Sequence, residues 1–206
     1  SLLPALGYRG IKRTIDIVAS IILLPVLLLP LIVVALLVRA SSPGPVLFRQ
    51  QRMGYRGIPF NMIKFRTMRP GPEALLAAYL DSNPDAKLEW DRDQKLRHDP
   101  RITRIGRVLR KTSLDELPQL FNVLLGHMSL VGPRPMMVQQ RMLYPGAWYA
   151  LHRPGLTGLW QVSARNGTTF AARSVYDQTY CEEISLSLDL SLIVRTFRIV
   201  MRCTGC

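Results

Sequence analysis

Residues Ile15 to Val38, IDIVASIILLPVLLLPLIVVALLV, form an almost uninterrupted apolar run broken in its middle by Pro25 and Pro30. About 20 helical residues cross the hydrocarbon core of a bilayer, so the run is long enough to span one. Basic residues flank both ends, Arg9, Lys12 and Arg13 before it and Arg39, Arg49, Arg52 and Arg56 after it. Lys and Arg beside membrane segments are retained on the cytoplasmic side, and a straight crossing puts one of these clusters outside. A helix that enters one leaflet, bends at proline and returns satisfies both flanks. Proline supplies the bend, since it has no N–H to donate and its ring clashes with the carbonyl four residues back. The freed backbone groups then need partners from protein or water. Two other readings compete. One is a spanning helix that tolerates its prolines; the other is a cleaved signal peptide, for which the apolar core is too long and no small-residue cleavage site follows.

Downstream the pattern breaks into shorter elements. In SSPGPVLFRQQRMGYRGIPFNMIKFRTM, Pro43, Gly44 and Pro45 mark a turn, and VLF and FNMIKF read as extended segments of a hairpin near the interface. Glu73 to Leu80 reads as a short helix, and DSNPDAKLEWDRDQ as a polar surface loop. In RITRIGRVLRK (101–111), Ile102, Ile105, Val108 and Leu109 share one helical face, with Arg101, Arg104, Arg107 and Arg110 around the other. Such a basic amphipathic helix lies in a bilayer interface. The same composition suits a nucleic-acid or calmodulin-target helix, and the apolar run upstream favours membrane surface or bound phosphate. Pro118 to Leu125 continues as an apolar helix that Gly126 is placed to stop. From Ser187 to Arg202, Leu190, Ile193, Val194, Phe197, Val200 and Met201 lie along one side and Arg195, Arg198 and Arg202 on another. That helix fits a bilayer surface and a soluble core equally well.

With 206 residues, and the first 40 committed to membrane, the remainder suffices for one compact domain. A formal charge of +13 calls for anionic partners. The membrane run favours lipid head groups and phosphorylated substrates over nucleic acid. Cys181, Cys203 and Cys206 form no regular framework, which points to a reducing compartment, and the terminal C-x-x-C has neither a second pair nor a nearby His. No dinucleotide-binding or P-loop glycine motif occurs. His98, His127 and His152 are scattered, with no pair at metal-ligand spacing. The chain begins with Ser1, so it is expected to be processed or a piece of a longer protein.

The strongest chemical signal lies in TSLDELPQLFNVLLGHMSLVGPRP, where Asp115 and Glu116 stand side by side at a helix start. Neighbouring helical positions point about 100° apart, so the pair is not built to share one proton; the carboxylates can divide labour instead. One can attack a substrate while the other holds a divalent cation or manages a proton. A structural alternative stands beside this, because Ser113 and Glu116 have the spacing of a capping box. Arg134, between Pro133 and Pro135, is presented from a stiff turn, and its fork matches phosphate oxygens. Lys64 and Arg66 in KFRTM, with Arg165 and Asn166 in LWQVSARNG, extend the set of candidate anion ligands.

Taken in order after a proline-broken helix, SPGPVLFRQ, KFRTM, DPRITRIGRVLRKTSLDELPQLFNVLLGHMSLVGPRP and RPGLTGLWQVSARN resemble the bacterial sugar transferase family of monotopic polyprenyl-phosphate phosphoglycosyl transferases. Members move a sugar 1-phosphate from a nucleotide diphosphate sugar to a polyprenyl phosphate, normally undecaprenyl phosphate. They release the nucleoside monophosphate and so prime exopolysaccharide, capsule or O-antigen assembly. The resemblance implies a UDP-sugar donor with UMP as product. It makes Asp115 the nucleophile of a covalent phosphosugar intermediate, Glu116 its partner in metal or proton handling, and Mg2+ the ion at that pair. It makes Arg134 a phosphate ligand, and Lys64, Arg66 and Arg104 further contacts for substrate or membrane. Pro30 matches the family's helix-breaking proline, with Pro25 a second candidate for the bend. Larger relatives carry several membrane helices and a further domain ahead of this core, so the chain is expected to be a minimal form or an excised catalytic unit.

The expected fold is α+β. Residues 1–40 form a re-entrant membrane helix hairpin, and residues 41–206 a small cytosolic catalytic core with amphipathic interfacial helices, at the cytoplasmic face of a bacterial inner membrane. Membrane lipids are expected partners, and a homo-oligomer is left open. Two other functions fit the residues: a membrane-surface module that binds anionic lipid without catalysis, and a one-step membrane glycosyltransferase.

Overall fold

A computed structural model describes residues 3–93, 96–163 and 169–201. The apolar run lies within one long helix, α1 (Leu3–Ser41), that contains both Pro25 and Pro30. Its middle is bare, with Ile22, Val26 and Leu29 exposed by 62%, 69% and 70%. Its two ends are not. Lys12, Asp16 and Ser20 recur every four residues on one face and are buried, as are Val34 and Val38 near the other end. Two cations expected as free flank charges are held by protein: Lys12 forms an ion pair with Asp189, and Arg13 donates to the carbonyls of Val123 and Leu124 at 2.7 and 2.9 Å.

After α1 come β1 (Leu47–Met53), β2 (Pro59–Phe65), α2 (Pro72–Ser82), α3 (Pro84–Asp93), α4 (Arg104–Thr112), a 3-10 turn at Leu114–Glu116, and α5 (Gln119–Leu124). Then follow β3 (Ser129–Val131), β4 (Gly155–Thr157), α6 (Leu159–Ser163), α7 (Arg173–Glu183) and α8 (Leu186–Met201). The chain is thus a mixture of helix and strand, with the expected hairpin made by antiparallel β1 and β2 and a second small pair, β3 and β4, that is parallel. The polar stretch read as a loop is helix α3. Its proline stands at the first helical position, where its missing N–H costs no bond, and the AKLEW run behind it is made largely of good helix formers.

The basic helix also differs from expectation. The apolar face of α4 is covered by protein, with Leu109 and Ile105 packed on Val34, Val38 and Phe65; Val108 alone of that face is largely exposed. Arg101 falls outside the helix and makes a bidentate pair with Asp99. Close approach of α4 to the end of β2 depends on Gly106, where a Cβ would overlap the carbonyl of Thr67.

Two side chains carry much of the architecture. Asn122 of α5 acts like a piece of strand: its Oδ1 accepts from Ile63 N at 2.9 Å and its Nδ2 donates to Asn61 O at 2.8 Å, fastening α5 to β2. Asp189 of α8 gathers the hydroxyls of Tyr8 and Tyr180, each at 2.8 Å, together with the ammonium of Lys12. This node joins the start of α1 to α8 and α7. Deleting one member of a buried ion pair strands its partner, at a cost of about 3–5 kcal/mol. Asp189→Ala is therefore expected to lose about that much in thermal or denaturant unfolding in detergent, and Lys12→Met clearly less, because Asp189 then keeps the hydroxyls of Tyr8 and Tyr180. Equal losses from the two would count against the node.

Candidate active site

Helix α4 ends at Ser113, which adopts the left-handed conformation (φ 58°) and reverses the chain into the Leu114–Glu116 turn. The Ser113 side chain makes no cap bond there, so the capping-box reading of Ser113 and Glu116 is not what the structure contains. Both carboxylates are left for other work. Asp115 is buried, only 8% exposed, while the Glu116 side chain is 30% exposed. Burial pushes the Asp115 carboxyl up to about 6, and neighbouring Glu116 adds to the rise, against the opposing pull of Lys64 and Arg110. Burial in turn lowers the Lys64 ammonium and the Arg110 guanidinium, and Asp115 works against that lowering in both.

Lys64 reaches this position from β2, and Asn122 holds that strand against α5. Arg110 shares the basic face of its helix in the sequence pattern, yet it is half-buried. It lies one turn after buried Gly106, on the inward side, and its Nε donates to Thr67 Oγ1 at 2.9 Å. The spacing from Gly106 was the available signal.

Two cavities meet at Glu116, Arg134, Leu156 and Gln161. The first is polar and is lined also by Arg52, Lys64 and Gln119. Glu116 and Arg134 face each other across it at 3.6 Å. Burial pushes the Arg52 guanidinium down to about 10, helped by repulsion from Arg134 and Arg173. Arg173 is 6% exposed, sits against the rings of Trp160 and Phe170 at 5.0 and 4.9 Å, and donates to the carbonyl of Arg134 at 2.6 Å. It thereby fixes the Pro133-Arg134-Pro135 turn from behind. Three cations, Arg52, Lys64 and Arg134, thus face one lining carboxylate, Glu116. Such a surplus in a partly buried pocket suits an anion with several phosphate oxygens. The second cavity is largely apolar, about 160 Å3, and bounded by Leu114, Leu117, Leu156 and α8. Asp115 itself lines neither, lying buried beside Glu116, which lines both.

Of the sequence candidates, Asp115, Glu116, Arg134 and Lys64 converge. Arg66 does not join them: its Nη2 donates to the Ser42 carbonyl at 2.6 Å and to the Ser42 hydroxyl at 3.0 Å, so it holds the end of α1. Arg104 is exposed at the start of α4 and lines neither cavity. Arg165, Asn166, Cys203 and Cys206 lie outside the described residues. Arg52, Gln119 and Arg173 escaped the sequence reading, Arg52 because it was counted as a membrane-flanking charge. Among the described residues no group of three or more His, Cys, Asp or Glu could hold a metal alone. Magnesium commonly takes one or two carboxylates plus substrate phosphates and water, a demand that the adjacent Asp115 and Glu116 fit.

Comparison with known proteins bears on this site. Residues 7–203 match the family model described as bacterial sugar transferase. The chain is 43% identical to the exopolysaccharide production protein ExoY of Rhizobium meliloti over 196 residues, 94% of this chain and 87% of that protein. It is 43% identical to the undecaprenyl-phosphate galactose phosphotransferase of Salmonella typhimurium over 199 residues, 96% of this chain and 42% of that protein. It is 40% identical to the UDP-glucose:undecaprenyl-phosphate glucose-1-phosphate transferase of Caulobacter vibrioides over 204 residues, 94% of this chain and 71% of that protein. The chain spans less than half the length of several curated relatives that it matches. A family match running from the first turns of α1 past the end of α8 takes in every residue of both cavities, and the chain belongs to the bacterial sugar transferase family.

Proposed function

We propose that the chain transfers a sugar 1-phosphate from a UDP-sugar to undecaprenyl phosphate, priming exopolysaccharide, capsule or O-antigen synthesis at the cytoplasmic face of a bacterial inner membrane. The observation that carries this is a buried carboxylate, Asp115, set among Lys64, Arg110 and Glu116 beside an arginine-lined cavity, in a chain whose relatives are named for undecaprenyl-phosphate sugar transfer.

In the first step an Asp115 oxygen bonds to the phosphorus that bears the sugar. The phosphoanhydride bond breaks, and UMP leaves with the electron pair. In the second, a phosphate oxygen of the polyprenyl phosphate attacks the same phosphorus and expels the Asp115 carboxylate, which is then ready for another donor. A covalent intermediate lets a soluble donor and a lipid acceptor use one carboxylate in turn. Arg134, Arg52 and Lys64 offset the charge of the diphosphate, which an anionic nucleophile could not otherwise approach. Magnesium held at Asp115 and Glu116 would supply further neutralisation of the phosphate oxygens. Incubation with a panel of UDP-sugars and polyprenyl phosphate should release UMP with at least one donor; release of UDP would mean one-step glycosyl transfer instead. Intact-mass spectra of enzyme given donor alone should carry a phosphosugar adduct, which Asp115→Asn abolishes.

The disposition of α1 supports a re-entrant anchor. A straight helix would separate Arg13 from Val38 by about 37 Å. Yet Arg13 bonds α5, while Val38 packs on Phe65 of β2, the strand that Asn122 ties to α5. Both ends therefore rest on one body while the bare middle faces hydrocarbon. In a cysteine-free background, Gly10→Cys and Ala40→Cys are expected to react with an impermeant maleimide from the cytoplasmic side alone. Labelling of Gly10→Cys from the opposite side would establish a spanning helix.

The raised Asp115 also affects stability. A carboxyl whose folded-state value exceeds its ordinary 3.8 favours folding while protonated, and that contribution is lost as pH rises through about 6. Asp115→Asn does not suffer the loss, so at neutral pH it should be more stable than the parent by on the order of 3 kcal/mol. Melting curves of the two proteins between about pH 4 and 8 should diverge as pH rises. A pH-independent gap would assign the difference to packing.

A further inference from the structure

The apolar cavity beside the site has an uneven lining. Beside Glu116, Arg134 and the uncharged polar side chains of Thr112, Ser113, Thr157, Gln161 and Thr196, it is lined by Leu114, Leu117, Leu156, Val162, Ile199 and Val200. A purely water-soluble donor has no use for that surface. Its volume of about 160 Å3 matches apolar cavities of about 150 Å3 that hold a six-carbon ring. One five-carbon isoprene unit therefore fits.

The cavity also borders an exposed apolar surface. Helix α8 carries apolar residues on two distinct faces. Buried Leu192 packs on the core, with Thr196, Ile199 and Val200 at the cavity. Leu190, Val194, Phe197 and Met201 recur at i, i+4, i+7 and i+11 and are 50–68% exposed. A stripe so exposed and so apolar, on a helix with Arg195 and Arg198 on its third face, is built for a bilayer interface. Val200 is one position from Met201 and three from Phe197, so cavity and stripe adjoin.

Resting on the transfer reading above, we propose that this cavity is the acceptor's entry groove. It takes the first isoprene unit of the polyprenyl phosphate, with the phosphate held at Arg134 and the chain leaving past Val200 along the exposed face of α8. Donor and acceptor then reach the carboxylate pair from two sides, the diphosphate through the cationic cavity and the lipid through the apolar one. Arg134, common to both, binds the anion of whichever substrate is present.

Val200→Trp fills the groove near its membrane end. With purified protein in lipid nanodiscs, two rates are compared with the parent: adduct formation with UDP-sugar alone, and discharge of the adduct by added undecaprenyl phosphate. The discharge step should fall at least tenfold more than adduct formation, chiefly through a higher KM for the lipid. Equal effects on both steps would overturn the groove while leaving the transfer reading intact; a parent enzyme that forms no adduct with any UDP-sugar would overturn the reading itself. Should Val200→Trp fail to fold, the parent protein carries the test. A prenyl phosphate with a diazirine on its first isoprene unit should crosslink to residues 156–162 and 196–200, and crosslinks confined to α1 would refute the assignment.

Discussion

The carboxylate of Asp115 lies nearly out of water, and the contacts that hold it there run through much of the structure. Burial drives Asp115 toward its neutral form, in which it could not serve as the proposed nucleophile. The cations set against that tendency come from separate elements, Lys64 from β2 and Arg110 from α4. Neither would reach Asp115 without the contacts that fix those elements. Asn122 locks β2 to the helix that follows the Asp115 turn, and Gly106 lets α4 close on Thr67. Left-handed Ser113 then ends α4 and leads the chain into the 3-10 turn that carries both carboxylates. The cost of burying the carboxylate is thus spread over several positions, of which Asn122 and Gly106 line neither cavity.

The same economy of buried polar contacts appears where α1 meets the rest of the chain. A helix as apolar as α1 gains nothing by packing on protein when lipid is available, so its attachment has to be polar or shape-specific. Asp189 supplies the polar part at one end through Tyr8 and Lys12, and Arg13 adds two carbonyl bonds on α5. Val34 and Val38 supply close packing at the other. Since α8 bears both Asp189 and part of the apolar cavity, the node that anchors α1 also sets the wall of that cavity. Anchorage and site geometry are mechanically one problem.

The sequence made some of this legible and hid the rest for definable reasons. The apolar run, the hairpin, the Gly126 stop and the acidic pair before an apolar helix all rest on local chemistry, and each stands in the structure. Helix α3 was misread because Pro84 is a breaker inside a helix but a starter at its first position, and the sequence gives no marker of which applies. Arg66 and Arg110 were judged by charge, whereas their roles depend on which cation faces the end of α1 and which faces Asp115, a difference set only by tertiary packing. Asp16 was absorbed into the apolar run, although a lone acid in such a segment is itself a signal. It accepts from Leu130 N at 3.0 Å and so belongs to the buried polar face.

The two adjoining cavities would give the proposed covalent route a geometric reason. A single-step transfer would need the sugar nucleotide and the lipid phosphate in line across one phosphorus at the same moment, bringing three phosphates together. Three cations line the polar cavity, and one of them, Arg134, is shared with the apolar one. Sequential use of a carboxylate would never gather more than two phosphates at the site, the donor's pair in the first step and the adduct and acceptor phosphates in the second, which Arg134, Lys64 and Arg52 could balance. It would also let UMP leave the polar cavity before the hydrophobic acceptor arrives.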